Sequence, residues 1–127
     1  MPGISPLAVV AATLAAFLIG GAYYGVFGSR LASLSPAAAE APAPWTYPAE
    51  LGRCLVLATV VVGLAEQAAI DAAAGGLLLG LALWIGFPLV LWTGAVVHER
   101  TPVNLAAIHA GDWLVKLLAL GVIAGVL

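Results

Sequence analysis

The chain has 127 residues, of which 64% are hydrophobic and 8% charged, whereas soluble domains run at about 25% charged and about 45–50% apolar. With a mean hydropathy of +1.15, four Lys and Arg and six Asp and Glu cannot build the polar surface that a small soluble domain needs. A water-soluble enzyme, a nucleic-acid binder and a disulfide-stapled secreted domain, with Cys54 the single cysteine, are excluded. An integral membrane protein remains, with the lipid bilayer as its first partner.

A membrane-crossing helix needs about 20 apolar residues. The first stretch, 4–28, is uncharged. It lacks a Lys/Arg n-region and is longer than a typical leader's apolar run, so it reads as a span rather than a cleaved signal. A Pro/Ala-rich loop, 29–48, follows; Pro36, Pro42, Pro44 and Pro48 oppose a regular helix there. Trp45 and Tyr47 at its end suit the membrane interface. The second span, 49–69, has an uncharged run of only 12 residues, Cys54–Ala65, bracketed by Arg53 and Glu66, whose long side chains can snorkel to the headgroups. The third, 72–98, has Asp71 placed to cap its start and Pro88 placed to kink it. The fourth, 102–127, is opened by Thr101-Pro102 or Asn104 and carries His109, Asp112 and Lys116. Short links after the second and third spans force antiparallel neighbours. The expected fold is all-α: an integral membrane, four-transmembrane-helix antiparallel bundle forming a single domain, 1–127.

Arg30, Arg53 and Arg100 lie on the side of the first and third links, and the opposite side has no Lys or Arg. The positive-inside rule puts these arginines in the cytoplasm and both termini outside. Tyr23, Tyr24, Glu50, Arg53, His98, Glu99, Arg100, His109 and Asp112 fall in that same leaflet, with Lys116 near the middle of its helix. Opposite them only Glu66, Gln67 and Asp71 are strongly polar.

On the last helix His109, Asp112 and Lys116 follow i, i+3, i+7 and share about 60° of one face. Asp112 precedes Lys116 by four, the favourable order for a helical ion pair. Ionisable groups at such depth face the bundle interior or a wet cavity. Arg53 is a cross-helix partner within reach of Asp112, and Glu50 of His109. The candidate ligand or proton pocket is therefore His109, Asp112, Lys116, Arg53, Glu50 and Tyr24. Asp112 and His109 would act as proton carriers or counter-ions, and Lys116 and Arg53 would hold an anionic group. The alternative is a structural or assembly protein in which Asp112 and Lys116 neutralise each other and the polar groups only fix which helix faces which.

Neither a metal nor a cofactor is expected. His98 and His109 lie on different helices, with no His or Glu at ligand spacing. Cys54 reads as a small apolar packer, and Ser5, Ser29, Ser33 and Ser35 have no nearby base, so no catalytic residue is expected and the chain does not read as an enzyme. Gly21-x-x-x-Gly25, Gly76-x-x-x-Gly80 and Gly121-x-x-x-Gly125 permit close helix approach. They offer more small-residue faces than four helices need internally, which predicts a homodimer, with a larger membrane complex as a further option. Trp84, Phe87 and Trp92 share roughly one face of the third helix, either as bulk toward lipid or as the wall of an apolar pocket.

The segment Ala-Ala-Phe-Leu-Ile-Gly-Gly-Ala-Tyr-Tyr-Gly-Val-Phe-Gly (15–28) resembles the signature of the bacterial membrane family called domain of unknown function 1761. Leu-Trp-Ile-Gly-Phe (83–87), Glu99-Arg100-Thr101-Pro102 and Ile108-His109-Ala110-Gly111 fit the same family in order. Tyr23 stands where the family often has Trp. Trp113 and Lys116 depart from its pattern, so an Asp112–Lys116 pair is expected to be particular to this protein. The resemblance implies a short four-helix protein of a bacterial inner membrane and implies no activity.

Overall fold

The computed structural model describes residues 4–36 and 40–127. Its helices are α1 (Pro6–Leu34), α2 (Thr46–Gln67), α3 (Ala73–Gly86), α4 (Pro88–His98) and α5 (Val103–Val126). α3 and α4 run on as one span, which makes four helices long and apolar enough to cross a membrane. The architecture is the expected all-α antiparallel bundle, with no strand among the described residues.

Helix ends follow local chemistry. Ser5 caps α1, its hydroxyl accepting from the Ala8 N–H at 3.2 Å, with Pro6 in the first turn. α1 continues well into the loop expected at 29–48, because Arg30, Leu31 and Ala32 are good helix formers. It stops at Ser35, extended at φ −144° and ψ 123° ahead of Pro36, as a residue before proline prefers. α2 likewise begins earlier than expected, at Thr46, since Pro48 falls in a first turn where its missing N–H is no loss. Asp71 does not cap α3: the cap residue is Ala72, which offers no side-chain hydrogen bond. Pro102, not Asn104, is the residue that opens α5. The expected bend at Pro88 is a one-residue interruption, across which Phe87 N–H still donates to Leu83 O and Leu91 N–H to Phe87 O. Phe87 leaves helical geometry at φ −120° and ψ −75°, and Pro88 starts a new helix.

α2 ends in a Schellman turn: Ile70 N–H donates to Ala65 O and Ala69 N–H to Glu66 O. Ala69 occupies the left-handed position, φ 55°, that glycine usually fills.

α5 is the centre of the bundle, in contact with each of the other four helices. Ala8, Ala12 and Ala16 of α1, Ala58, Val61 and Val62 of α2, and Leu117 and Leu120 of α5 form the buried core. Against α3, α5 packs backbone to backbone. A Cβ on Gly76 would run into Gly121 O, one on Gly121 into Gly76 O, one on Gly80 into Leu117 O, and one on Gly125 into Ala72 O. The pairings 76 with 121 and 72 with 125 are those of antiparallel helices. Gly21 and Gly25 behave differently: a Cβ on either meets nothing within 4 Å.

Gly76→Ala or Gly121→Ala should therefore lower stability by about 1–3 kcal/mol, the range for overpacked sites, whereas Gly21→Ala, which meets nothing within its own chain, should raise the monomer's stability by about 0.5–1 kcal/mol. Thermal unfolding in detergent reads the difference. Ala69→Gly should raise stability by up to about 1 kcal/mol, because it removes a Cβ from a left-handed position.

Candidate functional site

Asp112 and Lys116 are 2% and 6% exposed, on the face of α5 turned toward α1 and α2. Lys116 Nζ sits 2.9 Å from Asp112 Oδ2 and 3.9 Å from Glu50 Oε1 of α2. Glu50 Oε2 in turn accepts from Arg53 Nη1 at 2.6 Å. Charges thus alternate in a ladder, Arg53, Glu50, Lys116, Asp112, from a largely exposed guanidinium to a buried carboxylate. Pairing of this kind offsets the high cost of taking two ions out of water.

The backbone of α1 makes room for the ladder. Gly20 lies against the lysine head: a Cβ there would stand 3.1 Å from Lys116 Nζ. One turn along, the Tyr23 hydroxyl donates to Ile108 O at 2.6 Å and fills the place a side chain on Gly111 would take. Tyr24 OH and His109 Nδ1 are 2.7 Å apart. From α4, Trp92 stacks on His109, with ring centroids 4.8 Å apart and planes 12° apart. From α3, Trp84 Nε1 donates to Ala110 O at 2.8 Å. Phe87 points away and is exposed, so of the three aromatics on that face only the two tryptophans meet the polar helix.

A cleft of about 590 Å³ opens here, and Tyr24, Glu50, Arg53, His109, Asp112 and Lys116 are all on its wall. Among the described residues, two buried side-chain polar atoms have no hydrogen-bond partner, Asp112 Oδ1 and Trp92 Nε1. Both residues line the cleft. An unsatisfied buried acceptor costs about 1–3 kcal/mol, which a hydrogen-bond donor reaching Asp112 Oδ1 would offset.

The six pocket residues come together, but not in the pairs expected. Arg53 does not reach Asp112; it pairs with Glu50 one turn away on its own helix, and Lys116 takes Asp112 instead. Glu50 is spent on Arg53 and Cys54, so the partner of His109 is Tyr24. His98 is exposed at the end of α4 and does not join His109. Gly76, Gly80, Gly121 and Gly125 meet at the α3–α5 contact, away from the cleft, while Gly21 is on the cleft wall. Gly20 was missed by the residue pattern, whereas Trp92 was one option for a pocket wall and Tyr23 was placed in the polar leaflet without a partner. Gly111, beside Asp112, was a usable signal, because a glycine next to a buried charge marks close approach by another helix.

The family model described as "Protein of unknown function (DUF1761)" matches residues 7–125, and the chain belongs to that family. No curated protein and no solved structure matches it.

Lys116→Met strands the Asp112 charge and should destabilise the protein by about 3–5 kcal/mol. Lys116→Met combined with Asp112→Asn should recover most of that loss. Unfolding of both variants in the same detergent forms the test, and equal losses would break the pairing argument.

Proposed function

We propose that this membrane protein uses the polar cleft to bind or conduct a small solute, ion or proton. In this reading the cleft opens to the cytoplasm, the termini lie outside a bacterial inner membrane, and the protein works as a homodimer. One observation carries it: Asp112, whose Oδ1 is buried and unpartnered, is one of the residues lining a cleft that also holds His109 and Lys116. Ionisable groups inside a membrane are costly and mark pathways or sites. Asp112 and His109 serve as proton carriers or counter-ions. His109 has one ring nitrogen held by Tyr24 and a second with which to exchange a proton. Lys116 and Arg53 hold an anionic group. The one-sided arginines support the orientation. The open Gly21 and Gly25 on α1 support a second copy packing there.

A structural role is the second reading, favoured by the Asp112–Lys116 bond at 2.9 Å, in which the two charges offset each other within α5. Native mass spectrometry of protein extracted gently from its own membrane separates the two. A dimer carrying a reproducible small-molecule adduct, lost in Asp112→Asn and in His109→Ala, is the expected result. A species without adduct, together with a stable and normally assembled Asp112→Asn/Lys116→Met variant, would favour the structural role.

A further inference from the structure

A second opening reaches the charged ladder from the side. A groove of about 610 Å³ runs between α2 and α5, apolar along Val56, Leu57, Val60 and Trp113, and charged at one end where Glu50, Arg53 and Lys116 stand. Gly52, Val56 and Val60 follow i, i+4, i+8 on α2 and line a path about 12 Å long, parallel to the helix. Gly52 widens its charged end, since a Cβ there meets nothing within 4 Å.

The depth of that end follows from α2 itself. Trp45 and Tyr47, both exposed at the head of the helix, suit the interface. Arg53 lies about 9 Å further along. Its side chain leans back toward the helix start, as helical side chains do, and its guanidinium meets Glu50, nearer to Tyr47. The cation therefore stands just beneath the headgroups, with the apolar path running inward from it.

The ladder is neutral as a whole, and its most exposed member is the cation. The Arg53 side chain is 69% exposed and spends Nη1 on Glu50, which leaves the rest of its donor fork open. Both Glu50 oxygens are already engaged, by Arg53, Cys54 and Lys116, so a second cation finds no free acid. Arginine binds phosphate through paired N–H donors.

We propose that this groove is a binding site for one bilayer phospholipid with a net anionic headgroup, its phosphate on Arg53 and one acyl chain along Gly52, Val56 and Val60 against Trp113. The site goes beyond the function proposed above and does not depend on it. The chain with Trp113 as its single tryptophan (Trp45→Phe, Trp84→Phe, Trp92→Phe), in phosphatidylcholine vesicles, is titrated with acyl-brominated phosphatidylglycerol or acyl-brominated phosphatidylcholine. Quenching of Trp113 should saturate with the anionic lipid at about fivefold lower mole fraction, the factor one basic side chain near an anionic surface is worth. Arg53→Gln should erase the preference, and Gly52→Leu, which fills the groove, should weaken quenching by both lipids. His109→Ala, at a residue that lines the cleft but not this groove, should leave the preference in place, so this result stands or falls apart from the solute reading. Equal, non-saturating quenching by both lipids, or a preference that survives Arg53→Gln, would reduce the groove to ordinary lipid contact and overturn the proposal. Where the triple variant does not fold, native mass spectrometry of the unmodified chain from equimolar nanodiscs gives the same decision. One retained anionic lipid per chain, lost in Arg53→Gln, supports the site; retention without preference refutes it.

Discussion

A lysine ammonium buried near the middle of α5 sets the terms for the structure around it. Lys116 is 6% exposed in a helix apolar enough to cross a membrane, where an unpaired charge is costly. Asp112, one turn earlier, neutralises it, and Glu50 of α2 stands at 3.9 Å on its other side. For Glu50 to stand there, α2 must close on α5, and α1 covers the same face. Gly20 meets the ammonium, and Gly111 leaves space for the Tyr23 hydroxyl. The opposite face of α5 reaches α3 through Gly76, Gly80, Gly121 and Gly125. Close packing of small residues takes the place of a hydrophobic driving force, which helices in lipid do not have.

The ladder also explains why the ionisable groups share one end. On helices, Cβ atoms tilt toward the N-terminus. α2 and α5 both begin at the predicted cytoplasmic side, so Glu50, Arg53 and Lys116 all lean the same way, toward water. Snorkelling then moves charge up from the centre of the bilayer. The far halves of both helices are left to alanine, valine and leucine, which form the core.

The four spans and the polar stripe on α5 were legible because both depend on local composition and on a helical period that no tertiary contact can change. Helix ends were less legible. α1 runs to Leu34 because the nearest proline that stops it is Pro36, a single-residue constraint that the Ala/Pro-rich composition of the loop conceals. Partner choice was least legible. Sequence spacing shows that Glu50 and Arg53 share a face, but not that this pairing wins over His109 and Asp112, which depends on how far apart the helices stand. The glycine repeats show the same limit: all three have one spacing, yet two are locked into the α3–α5 contact and the one on α1 is open. A small residue licenses close approach and leaves open which helix, or which copy, makes it.

The interruption at Phe87 and Pro88 connects these levels. With helical geometry interrupted at Phe87, α4 starts afresh, and Trp92 lies flat on the His109 ring at 4.8 Å. The same shift leaves the indole N–H of Trp92 buried without an acceptor, in the cleft that holds the open oxygen of Asp112. A donor and an acceptor, both unsatisfied on one wall, make a worse core than apolar residues would. Each atom would be satisfied by a small polar group that reached it, which is how the proposed solute site would use them.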